Sequence, residues 1–388
     1  MSKTLKVFII AGEESGDVLG GAVLSALATR ADLDIQGIGG AAIKAAGLKQ
    51  SLFPMHELSI MGLAEVLPKI PAILKRIKQT ALAAEAFQPD IILSVDAPDF
   101  CFRVQKLIRK RGNLPQVKQV HYGAPTVWAW RAGRAKKISK FLDGLICLLP
   151  FEPPYFEKYG LKAIAAGHPV VGSGALQADG LAGRSDIPLK HKKILGLLLG
   201  SRRGELKYTA GILCETARRL QVQYPDLQIQ VPTLPHIEPQ VRALLDEYGL
   251  KNYYIRTDKS KKWDVFASCN VALAVSGTVG LELCITATPH LIAYKMSPLT
   301  FMIAAKLVKT PFIHLGNIIL NRAVIPEFIQ NQCKAEEMAY VAEALLMDEN
   351  NINQMQESFE AIAKAVGAHQ ARSPAVKAAD FILGLSAD

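Results

Sequence analysis

The run Val271-Ala272-Leu273-Ala274-Val275, closed by Ser276-Gly277-Thr278 and continued by Val279-Gly280-Leu281-Glu282, constrains this chain more than any other stretch. Five consecutive apolar residues with turn formers directly after them read as a short buried strand. Ser or Thr in the turn can cap a helix that begins there. Such a helix start, set directly after a buried strand, offers free N–H groups and a positive dipole end to a phosphate. Glu282 is the only charged residue between Val271 and Tyr294. A carboxylate one turn into the helix can accept hydrogen bonds from both hydroxyls of a ribose. It can equally cap its own helix, as in a capping box.

The same pattern recurs along the chain. Leu5 to Ala11 is an apolar strand that runs into Gly12-Glu13-Glu14-Ser15-Gly16-Asp17, where glycines allow a tight turn and carboxylates suit the helix start. A dinucleotide fingerprint is disfavoured, because G-x-G-x-x-G is missing and Asp32 and Asp34 precede the second strand. Ile91 to Val95 ends in Asp96-Ala97-Pro98-Asp99-Phe100. Ligands of open α/β sheets collect at the carboxyl ends of strands, so this carboxylate pair is a candidate for chemistry; the alternative is a turn stabilised by Asp side chains. A second series begins at Ile194 to Leu199 and enters Gly200-Ser201-Arg202-Arg203-Gly204-Glu205, a phosphate-receiving turn with a guanidinium fork and no Walker A spacing. Two series of alternating strands and helices predict an α/β chain of two Rossmann-like doubly wound domains facing a cleft. Composition shifts place the first domain at 1–172, a Gly-, Ala- and Ser-rich linker at 173–193, the second domain at 194–350 and a helical tail at 351–388, which can pack back on the first domain.

At 388 residues, half of them hydrophobic, the chain can bury two cores. A net charge of +10 favours an anionic partner: nucleic acid, an acidic substrate or an anionic membrane face. The six cysteines are scattered without a C-x-x-C pair, which suggests neither a zinc site nor a disulfide framework and suits a reducing cytosol. The N-terminus enters a strand directly and has no signal-peptide pattern. Between Met55 and Lys78, Leu63, Val66, Leu67, Ile70, Ile73 and Leu74 share a segment with Lys69, Lys75, Arg76 and Lys78, broken by Pro68 and Pro71. Apolar residues with basic neighbours suit a surface that lies on a membrane; an ordinary core helix is the plainer alternative. Trp128, Trp130 and Arg131, followed by Arg134, Lys136, Lys137 and Lys140, suit a nucleic-acid surface or, more commonly, packing beside a solvated basic face.

Taken in order, Gly12-Glu13-Glu14-Ser15-Gly16-Asp17, Asp96-Ala97-Pro98-Asp99-Phe100, Val127-Trp128-Ala129-Trp130-Arg131, Gly167-His168-Pro169, Gly200-Ser201-Arg202 and Ser276-Gly277-Thr278 with Glu282 make the chain resemble the lipid-A-disaccharide synthase family of GT-B glycosyltransferases. The resemblance covers nearly the whole chain. It departs at Leu199, where the family commonly has Pro, and at Gly316-Asn317-Ile318-Ile319-Leu320-Asn321, where the family has Pro-Asn-Leu-Leu-Ala-Gly. The resemblance implies transfer of 2,3-diacylglucosamine from its UDP donor to 2,3-diacylglucosamine 1-phosphate, with inversion and release of UDP, and with neither cofactor nor metal. The first half would hold the acceptor, with Asp96 as general base and Asp99 in reserve, and with Glu13, Glu14, Ser15 and His121 against substrate. The second would hold UDP through Ser201, Arg202, Ser276, Gly277, Thr278, Glu282 and Asn317, with Arg202 neutralising the leaving group. The implied setting is cytoplasmic, peripheral on the inner face of a Gram-negative inner membrane with anionic lipids, without nucleic acid, and it allows a homodimer. A UDP-sugar epimerase of the same fold and an RNA-binding or RNA-modifying protein are the alternatives.

Overall fold

The computed structural model describes residues 4–58, 70–187 and 193–387. Packing divides the chain into two units, Met1–Pro169 with Gln370–Asp388, and Val170–His369. The first is built on strands β1 (Leu5–Ala11), β2 (Leu33–Ile38), β3 (Ile91–Val95), β4 (Lys118–Tyr122), β5 (Gly144–Cys147) and β6 (Lys162–Ala165). They pair in parallel in the order β2-β1-β3-β4-β5-β6. Because side chains alternate along a strand, β1 sends Val7 and Ile9 to one face and Phe8 and Ile10 to the other. The first face packs on the helices Glu14–Ala28 and Pro374–Ala387; the second packs on Ile70–Phe87 and Pro98–Arg111. This sandwiching is why the central strands β1 and β3 read as nearly continuous apolar runs.

The second unit repeats the plan with β7 (Ile194–Leu198), β8 (Gln228–Pro232), β9 (Tyr253–Arg256), β10 (Val271–Val275), β11 (His290–Tyr294) and β12 (Glu327–Ile329). These too are parallel, in the order β12-β11-β10-β7-β8-β9. Each sheet therefore reverses its direction of winding once, between β1 and β3 in the first unit and between β7 and β10 in the second. The carboxyl ends of the strands flanking such a switch point are where doubly wound sheets bind ligands. Register sets Ala11 beside Val95 and Leu198 beside Ala274, so each pair of turn motifs leaves its sheet side by side.

Two stretches differ from the boundaries expected above. The Gly-rich stretch after Gly172 reads as a loose linker, yet its described part is packed. Asp179 N–H donates to Asp264 Oδ1 at 2.8 Å and the Arg184 guanidinium donates to Ser268 O at 2.7 Å. A Cβ on Gly183 would lie 1.9 Å from Asp264 O, so that glycine serves close backbone approach and not flexibility. The C-terminal stretch also divides. Helix Glu349–Ala365 buries Phe359 and Ile362 in the second unit, whereas Pro374–Ala387 buries Ala378, Ala379 and Ile382 against the first, tied by an Arg30–Asp380 ion pair at 3.1 Å. All six cysteines are free and buried. Among the described residues, no helix is long and apolar enough to cross a membrane.

Gly183→Ala should destabilise the second unit by about 1–3 kcal/mol, the usual cost of overpacking. Gly204→Ala, where a Cβ meets nothing within 4 Å, is the control and should leave the melt unchanged. Equal denaturation midpoints for the two variants would show that the 173–187 stretch is not held as described.

Candidate active site

In the first unit, β3 ends at Val95 and the chain turns through Asp96 (φ 54°) and Ala97 (φ 41°) before the helix Pro98–Arg111. Consecutive left-handed, non-glycine residues are costly and persist only where neighbours hold them. Here Asp96 N–H donates to Tyr122 O at 2.9 Å and Ala97 N–H to Asp96 Oδ1 at 3.0 Å. Ser15 Oγ donates to Asp96 Oδ2 at 2.5 Å. The turn can approach because Gly12 and Gly16 lack side chains: a Cβ on Gly12 would lie 2.6 Å from Ala97 Cβ, and one on Gly16 2.8 Å from Val95 O. Asp96 then lines a pocket of about 230 Å³ together with Gly123, Thr126, Trp130, Arg131 and Arg134.

The other expected residues separate into two groups. Glu14 and Ser15 are exposed at the start of helix Glu14–Ala28, and Glu13, half-buried, is its N-cap. Asp17, from the same motif, is buried and accepts N–H bonds from Gly40 (2.6 Å), Ala42 (2.9 Å) and Ile43 (3.2 Å), so it caps the next helix. Asp99 is 91% exposed and ion-paired to Arg134 at 3.1 Å, one turn beyond Asp96 and outside the pocket lining. His121 does not face substrate. It is fully buried, its Nε2 donates to Gly123 O at 3.1 Å, and its Nδ1 accepts from Ser94 Oγ at 2.6 Å. Burial pushes its pKa down to about 3, so it is a neutral brace behind Gly123. Sequence reasoning missed Glu152, which is buried at the end of β5 and accepts from Trp128 Nε1 at 3.1 Å and from the N–H groups of Leu148 and Leu149. Burial raises its pKa to about 7. In sequence it looks like part of a proline-rich stop after a strand.

In the second unit, Gly200 (φ +93°) starts the turn after β7. Glu205 folds back, and its Oε2 accepts from Ser201 N–H at 2.9 Å and Arg202 N–H at 3.1 Å; a Cβ on Gly200 would lie 2.4 Å from that oxygen. The Arg202 side chain is left 70% exposed, and among the described residues its one acidic contact is Glu205 Oε1 at 3.4 Å. The helix continues through a π turn at Leu206–Ala210, a local irregularity frequent near functional sites. Beside it, Gly277 and Thr278 are exposed at the start of helix Thr278–Ile285. Glu282 does not cap that helix; its Oε1 accepts from Lys262 Nζ at 2.8 Å, and Lys262 lies over the Trp263 ring at 4.5 Å. No sequence pattern links residues twenty positions apart on separate helices, so Lys262 was not foreseen.

Asn317 is a structural knot. It is fully buried, its Nδ2 donates to Ile325 O and Glu327 Oε1 at 2.8 Å each, and its Oδ1 accepts from Val324 N–H at 2.9 Å and Ile325 N–H at 2.8 Å. It lies in the short helix Leu315–Leu320, and with its amide satisfied by the 324–327 segment it has nothing to offer a nucleotide. Cys284, His290 and His314 form a buried group whose candidate ligand atoms lie within 4.8 Å of one another. Their hydrogen bonds assign two neutral imidazoles: His290 Nδ1 donates to Thr288 O (2.8 Å), His314 Nδ1 accepts from Gly316 N–H (2.9 Å), and His314 Nε2 donates to His290 Nε2 (2.9 Å). In that pattern the His314 Nε2 proton is shared with His290, and both imidazoles are partnered within the protein.

Two doubly wound parallel units, each with glycine-containing turns at its switch point, define the two-Rossmann, GT-B class. The glycotransferase of kitacinnamycin shares this fold, with a TM-score of 0.66 at 13% identity over 99% of both chains. The S. aureus MnaA–UDP co-structure shares it with a TM-score of 0.61 at 14% identity over 98% of this chain and 95% of its own. Within that class, the family model described as Lipid-A-disaccharide synthetase matches residues 7–381. The Lipid-A-disaccharide synthase of Rhodospirillum centenum (strain ATCC 51521 / SW) is 40% identical over 386 residues, which is 99% of this chain and 95% of its own. The chain belongs to the lipid-A-disaccharide synthetase family, and is a glycosyltransferase of lipid A biosynthesis.

Three buried histidines, His121, His290 and His314, and the half-buried His168 set an acid limit on the fold. Burial holds the pKa of His121 near 3 and of His168 and His290 near 4, and pushes His314 well below its ordinary value. Each is neutral in the native state, whereas in the unfolded chain it binds a proton below about pH 6.5. Stability is therefore complete above about pH 6.5 and falls as the pH drops towards about 4, by up to roughly 1.4 kcal/mol per histidine per pH unit. Melting temperature measured from pH 7.5 to 4.5 should show this decline. A flat profile between pH 6.5 and 4.5 would contradict it.

Proposed function

We propose that the chain joins UDP-2,3-diacylglucosamine to 2,3-diacylglucosamine 1-phosphate in one inverting step. Asp96 carries the reading: a carboxylate fixed at a switch point by Ser15 and its own turn, and lining an open pocket. Asp96 takes the proton from the acceptor's primary hydroxyl as that oxygen attacks the anomeric carbon of the donor. The bond from that carbon to the diphosphate breaks, and UDP leaves with the electron pair. In the second unit Arg202, the Ser201 turn and the helix start at Thr278 stabilise the charge that grows on the leaving diphosphate. Glu282 receives the ribose hydroxyls, and Lys262 orients its carboxylate.

UDP release should require both the lipid-bearing donor and the lipid monosaccharide phosphate. Asp96→Asn should lower kcat by about 10²- to 10⁴-fold. Asp99→Asn should remain near the parent rate, because Asp99 faces solvent and pairs with Arg134. UDP-sugar turnover without acceptor would favour an epimerase, and an inactive Asp99→Asn with an active Asp96→Asn would move the base.

The membrane reading of 55–78 is supported only for its described part, since Leu63, Val66 and Leu67 lie outside the described residues. Ile70 and Leu74 are exposed beside Lys75 and Lys78, while Ile73 packs on the core and Arg76 is tied to Glu57 at 2.7 Å. In the other unit, helix Pro298–Leu307 exposes Met302 and Leu307 near Lys306 and Lys309. Both surfaces suit the anionic face of an inner membrane. Ile70→Ser with Leu74→Ser should release the protein from anionic vesicles and leave its melt within about 0.5 kcal/mol of the parent, as for exposed sites. Undiminished pelleting would remove this surface from membrane docking.

A further inference from the structure

The pocket that holds Asp96 has a cationic wall that proton transfer does not use. Arg131 and Arg134 both line it, with Trp130 and Thr126. Arg131 itself sits in the left-handed region (φ 55°), and its guanidinium carbon stands 4.0 Å from the centroid of the Trp130 ring. Stacking on an aromatic face orients the planar fork without neutralising it. Among the described residues, no carboxylate pairs with Arg131. Arg134 lies over the Phe102 ring at 5.3 Å and donates to Asp99 Oδ1 at 3.1 Å. That partner is 91% exposed, and so solvated a carboxylate is a weak competitor for a guanidinium.

Two guanidinium forks, one without a counter-ion and one with an exchangeable partner, thus share a pocket of about 230 Å³ with the proposed base. Arginine pairs of this kind match the oxygens of a phosphate monoester, which can accept two parallel N–H bonds from each fork. We propose that Arg131 and Arg134 form the subsite for the phosphate monoester of the acceptor sugar, a reading that rests on the transfer reaction proposed above. The acceptor is then gripped at two points, its reacting hydroxyl at Asp96 and its phosphate at the arginines. A sugar lacking the phosphate loses the second grip, so the subsite selects the acceptor by charge. The Trp-Arg pairing that suits a nucleic-acid surface in sequence serves instead to present one guanidinium to a small dianion.

The test compares two acceptors, 2,3-diacylglucosamine 1-phosphate and the same lipid with its 1-phosphate removed, for the parent, Arg131→Ala, Arg134→Ala and Arg131→Lys. The parent should prefer the phosphorylated acceptor. Each Ala variant should raise KM for that acceptor about ten- to a hundredfold, the scale of hydrogen bonds to a charged group, with KM for the UDP donor unchanged. On the dephosphorylated acceptor the Ala variants should match the parent, so the preference collapses, and Arg131→Lys should restore part of it. Loss of activity to the same extent on both acceptors would make the arginines merely structural and overturn the subsite. So would an unchanged preference in Arg131→Ala, whose exposed side chain makes it the variant least prone to misfold. A parent that transfers to neither acceptor would instead overturn the transfer reaction itself.

Discussion

The first unit depends on a backbone turn that its own residues disfavour. Asp96 and Ala97 both sit in the left-handed region, where a non-glycine residue costs of order 1–3 kcal/mol. The cost is offset locally: the Asp96 carboxylate accepts from the N–H of Ala97 and from Ser15, and the Asp96 N–H stays in the sheet through Tyr122 O. Ser15 can reach only because Gly16 lets helix Glu14–Ala28 lie against Val95, and Gly12 lets β1 leave the sheet beside Ala97. One motif therefore exists to build the other. Between them they fix a carboxylate at the switch point with lone pairs still directed to the pocket.

The second unit reaches a similar end by a different device. There the left-handed position is held by Gly200, which adopts it without strain, and the brace is an acid, Glu205, that gathers the N–H groups of Ser201 and Arg202 onto one oxygen. A carboxylate that already binds the loop leaves the Arg202 guanidinium facing outward instead of folding it down. Glu282 is arranged in the same spirit, with one oxygen fixed by Lys262, itself steadied over Trp263. Rigid placement of a few charged groups, with solvent reorganisation already done, is what stabilises a departing diphosphate.

Strands, helix starts and the two-unit plan were legible because they follow from local periodicity and turn chemistry. The roles of single polar residues were less so. His121, a lone histidine of the kind more often structural, and Asn317, a candidate through the family resemblance, are told apart from ligands only by burial and a full set of partners. The packing of the 173–187 stretch is not legible either, since a glycine needed for close approach and one needed for flexibility are the same letter. The C-terminal stretch was split by a contact 350 residues distant in sequence, Arg30 with Asp380, which no window of sequence contains. Glu152 and Lys262 escaped for the same reason: their partners, Trp128 and Glu282, are distant in sequence or separated by a turn.

What distinguishes the reactive groups from the structural ones is the hydrogen-bonding capacity left over after folding. Asp17 accepts three backbone N–H bonds and Asn317 makes four bonds, so neither has a use for a ligand. Among the described residues Arg202, by contrast, holds a single long contact, and Arg131 holds an aromatic face but no acid. A buried group left in that state would destabilise the fold, so such capacity is found where a pocket or open turn lets water satisfy it until substrate arrives. Both switch points collect groups of that kind while their immediate neighbours are saturated. That contrast, and not the mere presence of charge, is why we propose the two turns as the places for a sugar hydroxyl and a diphosphate.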